Sequence, residues 1–198
     1  MPSPSLDAND LLYDLAEPRA DAMIQSLRAF GYDLPTAIAD LIDNSISADA
    51  KHIWLEFLWS GAASCIAIID DGRGMNTDTL KNAMRPGSTS PLAERDAKDL
   101  GRFGLGLKTA SFSQCKGLTV GSRAEGNDTA IRRWDLDYVT RVGQWRLLHE
   151  GTPRTGQFLR QLEGKKSGTL VLWEAMDRVT GGTHVDSEED QGRFLHQA

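Results

Sequence analysis

The spacing of apolar positions switches between helical and strand periods along the chain, and the switches mark its elements. Beyond a start with Pro2, Pro4 and scattered acids, Pro18 opens a predicted helix with Ala22, Met23, Leu27 and Phe30 at helical spacing. Gly31 suits its C-terminal stop. Asp33 caps a second predicted helix, in which Leu34, Ala37, Ile38, Leu41, Ile42 and Ser45 form one stripe. Asp40, Asn44 and Ser47 fall on a different face, spaced so that their side chains can enter a common site. From Lys51 the period becomes two. Residues 52–59 and 65–69, parted by Ser-Gly-Ala-Ala-Ser, predict a β-hairpin that ends on Asp70-Asp71-Gly72-Arg73-Gly74. A helix is predicted over 77–84, and a long loop of lid type over 85–100. The glycine run 101–106 opens a helix through Ser113, and strands follow at 117–123, 129–136, 144–149 and 168–173. Trp134, Trp145 and Trp173 fall in these strands and read as core or sheet-surface aromatics.

Helices and a hairpin followed by an antiparallel meander predict an α+β fold, a two-layer α/β sandwich with a mixed, mostly antiparallel sheet covered on one face by helices. The domain is expected over 18–178, after an arm at 1–17. Residues 179–198 read as a polar tail or the start of a downstream domain. Composition fits: 198 residues with 40% hydrophobic content can build a proper core. No apolar run has membrane-spanning length, and the acids Asp7, Asp10 and Asp14 do not make a signal-peptide start. Cys65 and Cys115 give neither a disulfide framework nor zinc spacing, so a reduced, cytoplasmic protein is expected. A net charge of −6 argues against gripping nucleic acid by bulk charge. It leaves phosphate binding open, because backbone N–H groups and one lysine suffice for that.

The candidate chemistry lies in four short pieces, each of which has a plain reading by itself. Asp70-x-Gly72-x-Gly74 at a strand end is either a tight turn or a carboxylate offered to an exocyclic amine, with glycines that admit a flat base. Gly101-Arg102-Phe103-Gly104-Leu105-Gly106 is either a hinge or a nest of amides at a helix start, with Lys108 adding a cation. It follows a charged loop, so it is not a dinucleotide fingerprint, and no P-loop sequence occurs. Asn44 is either a surface residue or one oxygen ligand for a magnesium ion that keeps several waters. Asp40, one turn earlier, is either a surface acid or a group that orients an attacking water.

In this order, and with Gly168-Thr169 before a last apolar strand, the pieces resemble the GHKL ATPases: gyrase B, the heat-shock chaperone, histidine kinases and MutL. The resemblance spans roughly residues 20–175. Ala39-Asp40-Leu41-Ile42-Asp43-Asn44-Ser45, Asp70-Asp71-Gly72-Arg73-Gly74-Met75 and the stretch 106–111 are most similar to the MORC branch and its bacterial relatives. The resemblance implies the ATP-binding (Bergerat) fold, with ATP and Mg²⁺ as ligands. Asn44 would ligate Mg²⁺, Asp70 would take the adenine amine with Thr169 beside it, and Gly72, Gly74 and Met75 would shape the adenine slot. Residues 85–106 would be the lid. Gly101, Arg102, Phe103, Gly104, Leu105, Gly106 and Lys108 would meet the nucleotide there, with Gly104, Gly106 and Lys108 on the β- and γ-phosphates. Asp40 would stand at the general-base position.

Two positions depart from the family pattern. Asp40 replaces the Glu of most hydrolysing members and is one methylene shorter, and Ser47-Ala48 stands where the family has Asp-Ala. Slow ATP hydrolysis that drives lid closure and homodimerisation is therefore the first expectation, with a DNA or protein client engaged through another domain. A non-hydrolysing ATP/ADP-binding module is the alternative. A histidine-kinase catalytic domain is disfavoured, since His52, His149, His184 and His196 lie in no dimerisation-helix context.

Overall fold

The computed structural model describes residues 14, 16–29, 31–61, 63–87 and 106–178. Among the described residues five strands form one sheet in which every pairing is antiparallel: β1 (Ile53–Leu58), β2 (Cys65–Asp70), β3 (Gly117–Arg123), β4 (Ala130–Asp135) and β5 (Gly168–Glu174), in the spatial order β1-β2-β5-β3-β4. The expected α+β class and hairpin are both present. Every residue of β2 is buried, which fits a central strand covered on both faces. On one face Ile66, Ile68, Leu118, Val120 and Trp173 pack under α1 (Ala20–Arg28), α2 (Leu34–Ser47), α3 (Thr77–Met84), α4 (Gly106–Gln114) and α5 (Leu136–Val142). On the other, Cys65, Ala67, Ile69, Leu170 and Leu172 meet Phe158 and Leu162. These two come from α6 (Pro153–Leu159) and a single 3₁₀ turn, Arg160–Leu162, a small second cover that the strand pattern did not announce.

Asp33 caps α2 as expected, its carboxylate accepting the Thr36 N–H at 2.8 Å, and the stripe Leu34, Ala37, Ile38, Leu41 and Ser45 is buried. In α1 the buried side is Ala20, Ile24, Leu27 and Arg28, while Ala22 and Met23, expected inside, are exposed. The reason is Arg28, a charged residue that hydropathy assigns to the surface. Its guanidinium donates to the Cys115 carbonyl at 2.8 Å and to both Asp177 oxygens at 2.7 Å, and so turns the helix. Phe30 lies outside the described residues.

The strand expected over 144–149 reduces to one bridge, Leu148 to Arg133. Instead, Asp135 ends β4 by accepting the Tyr138 N–H, which starts α5. Trp145 therefore sits in a loop, edge-on to Trp134 with ring centres 5.6 Å apart. Helix α6 opens on a Thr152/Thr155 capping box with Pro153 in its first turn, a start signal carried by the sequence itself.

Candidate functional site

The carboxyl end of β2, the last turns of α2 and the start of β5 converge on one cavity of about 420 Å³. Leu41, Leu107, Val120, Val171 and Met75 give it apolar walls, while Asp70, Thr169 and Asn44 supply polar groups. Antiparallel pairing sets Asp70 directly opposite Thr169. Asp70 is only 5% exposed. Its Oδ1 accepts the Gly72 N–H at 2.9 Å and its Oδ2 accepts the Ser45 hydroxyl at 2.9 Å. Burial raises the Asp70 pKa above the ordinary carboxylate value, and the bonds from Gly72 and Ser45 oppose that rise. An acceptor held this way suits a neutral donor on a flat ligand.

The next residue does something different. Asp71 turns away and clamps the start of β1, accepting the N–H groups of Lys51 and His52 and facing His52 Nδ1 at 2.7 Å. The His52 side chain, then the amides, hold its pKa down to about 2. Two adjacent aspartates thus divide between pocket and scaffold.

The glycines are fixed by close approach. A Cβ on Gly72 would lie 2.8 Å from the Ala48 carbonyl, which also accepts the Arg73 N–H at 2.9 Å and ties this turn to the end of α2. Gly74 has φ +63°, and a Cβ there would come within 1.9 Å of the Arg123 carbonyl oxygen. Met75 follows as a wall residue, its N–H donating to Ser122 at 2.9 Å.

Of the helical trio Asp40, Asn44 and Ser47, only Asn44 lines the cavity. Asp40 is half-buried, near Gly106 at the start of α4, where a Cβ would stand 4.0 Å from its Oδ2. It also neighbours Tyr32, whose hydroxyl pKa is raised by burial and then by this carboxylate. Ser47 Oγ is buried with no hydrogen-bond partner among the described residues. Lys108 is 2% exposed, and its Nζ donates to the carbonyl of Ala83, a cavity-wall residue, at 2.7 Å. Burial lowers its pKa to about 8. Gly101, Arg102, Phe103, Gly104 and Leu105 lie outside the described residues.

Lys108 gives a pH signature. Its pKa in the folded chain lies below the ordinary lysine value of 10.5, so between about pH 8 and 10.5 the unfolded chain binds more protons. Stability of the ligand-free domain should therefore gain from this group as pH rises through that window. Urea unfolding of Lys108→Met should show a flatter dependence there than the wild type; identical slopes would mean that the lysine is not desolvated.

Sequence reasoning missed two hydroxyls. Ser45 falls in the apolar stripe of α2, where a serine signals a buried partner. Ser122 lies on an inward position of β3 and is fully buried. Among the described residues no cluster of three His, Cys, Asp or Glu side chains is placed to hold a metal ion. A magnesium ion held by phosphate oxygens needs few protein ligands, and the Asn44 amide at the cavity wall fits that role.

The family model described as histidine kinase-, DNA gyrase B-, and HSP90-like ATPase matches residues 32–169, more than half of the chain. The chain belongs to this ATPase family. Membership carries nucleotide binding with it, and the matched span contains every cavity residue named above except Val171. The relatives include the ATPase morc-1 of Caenorhabditis elegans, 30% identical over 96 residues, which are 48% of this chain and 11% of that protein. The DNA mismatch repair protein MutL of Dictyoglomus turgidum is 29% identical over 112 residues, 56% of this chain and 19% of its own length. MutL of Rhizorhabdus wittichii is 34% identical over 110 residues, 55% and 18% respectively. The chain thus spans less than a fifth of the length of these relatives. Among the described residues no helix is long and apolar enough to cross a membrane.

Proposed function

We propose that this family member binds ATP with Mg²⁺ and hydrolyses it slowly, coupling nucleotide state to lid closure and pairing of two copies. The observation that carries the reading is the buried Asp70 carboxylate in a cavity of about 420 Å³, set against Thr169 and walled by aliphatic side chains. A purine has the thickness and edge chemistry for such a slot. Gly72 and Gly74 leave room at the base, and Asn44 at the wall would hold the cation that accompanies the phosphates. Residues 85–106, with Lys108, would cover the phosphates. Asp40 would position the attacking water.

The names of the relatives lend support to an ATPase acting on DNA or on a protein client, engaged by parts outside this domain. A second reading, a nucleotide-binding module without turnover, is favoured by one observation. Asp40 is one methylene shorter than glutamate and does not line the cavity.

Phosphate release with Mg-ATP separates the two. The ATPase reading expects slow steady release that falls at least about a hundredfold in Asp40→Ala, the lower end of what a general base contributes. ADP binding should persist in that variant. Undiminished release in Asp40→Ala removes its assigned role, and no release from a wild type that binds ADP favours the module.

A further inference from the structure

Behind Thr169 lies a hydroxyl that the cavity does not reach. Ser122 pairs with Thr169 in the β3–β5 register and is fully buried. Three groups stand within hydrogen-bonding distance of its Oγ: the Met75 amide at 2.9 Å, the Gly168 carbonyl at 3.1 Å and Thr169 Oγ1 at 2.8 Å. A serine hydroxyl carries one proton and two lone pairs. The amide can only donate and the carbonyl can only accept, so only the direction of the Thr169 bond is open. If Ser122 donates to Gly168 and accepts from Thr169, all three bonds form and its capacity is filled. If it donates to Thr169 instead, the Gly168 bond is lost and a buried lone pair stays idle. The first arrangement therefore wins by about one hydrogen bond. The Thr169 proton points back into the sheet, and its lone pairs face the cavity. Opposite it stands the Asp70 carboxylate, which when ionised only accepts.

From this proton count we propose that Ser122 is a specificity-determining residue. By holding Thr169 as an acceptor beside Asp70, it makes the pocket take a 6-amino purine and reject a 6-oxo purine. This rests on the nucleotide reading given above. An exocyclic amine brings two N–H donors to two acceptors. A 6-oxo group sets its own lone pairs against the Thr169 oxygen with no proton between them. Its ring N1–H can still reach Asp70, so Thr169, and behind it Ser122, decides the outcome. With Ser122 replaced by alanine, the Thr169 hydroxyl can rotate and donate to the oxo group.

The test is the ratio of dissociation constants for ADP and inosine diphosphate, which differ at position 6 and in the ring N1 proton. Calorimetric titration of wild type should favour ADP by at least about a hundredfold, as expected for a pocket built around hydrogen bonds. Ser122→Ala should shrink that preference by about tenfold, and Thr169→Val by a similar factor. The double variant should show no further loss beyond Thr169→Val alone. Ser122→Thr, which keeps the hydroxyl, should keep the preference. An unchanged ratio in a folded Ser122→Ala that binds ADP overturns the inference. Should that variant not fold, an unchanged ratio in Thr169→Val does so equally. Additive losses in the double variant overturn the route through Thr169. A wild type that binds neither diphosphate would fail the nucleotide reading itself, and Ser122 with it.

Discussion

Asp70→Ala should lower ADP affinity by at least about a hundredfold while leaving the ligand-free domain folded. The carboxylate is buried and accepts from Gly72 and Ser45, so its removal deletes the group that would face the base amine and takes the acceptor from the Gly72 N–H, while the Ser45 hydroxyl can turn to the Leu41 carbonyl at 3.3 Å. A ligand amine brought into that slot must give up water without a replacement, which costs a few kcal/mol. Stability without ligand should change by no more than about 1–2 kcal/mol, since the lost hydrogen bonds are offset by relief of a desolvated carboxylate. Isothermal titration and a melting curve on the same sample separate the two effects. Wild-type affinity in Asp70→Ala would mean that the base does not contact this residue.

The largest stability effect is expected at Gly74. At φ +63° a side chain is already disfavoured, and a Cβ would sit 1.9 Å from the Arg123 carbonyl oxygen and 3.1 Å from the Gly168 amide nitrogen. Both neighbours are backbone atoms at the ends of β3 and β5, so relief requires moving the strand ends that carry Ser122 and Thr169. Gly74→Val should destabilise by at least about 3–4 kcal/mol, a large share of a domain's total. Gly87→Ala, also at positive φ but with no atom of the described residues within 4 Å of its Cβ, should cost only about 1–2 kcal/mol. Chemical denaturation of both variants checks the contrast; equal losses would show that conformation alone, and not the contact with Arg123, sets the penalty at Gly74.

Much of this was legible in the residues. The hairpin, α2 with its Asp33 cap and the Asp70 turn follow from period and punctuation, because each element's local preference agrees with its place in the core. The face of α1 was not legible, because an ion pair between the buried Arg28 and a partly exposed Asp177, distant in sequence, sets it against hydropathy. Nor was the loop at Trp145, where a single aspartate cap outweighs an apolar run that reads as strand. In the site, Asp70 and Thr169 sit face to face across paired strands, while Asp40 and Ser47 show that a shared helical face does not ensure a shared cavity. Helical spacing fixes direction around an axis, and the neighbouring elements decide what each direction meets. Ser45 and Ser122 stayed hidden because their importance lies in partners brought together only by the fold.

If the cavity between α2, β2 and β5 holds an adenine nucleotide, Mg-ADP must raise the melting temperature of the wild-type domain. At one hundred times its Kd, ADP should stabilise the fold by about 2.7 kcal/mol. For a domain of this size that is roughly 5–10 °C in Tm. A shift of that size in wild type, absent in Asp70→Ala, is the predicted result. An unchanged Tm for wild type at saturating Mg-ADP would contradict the account.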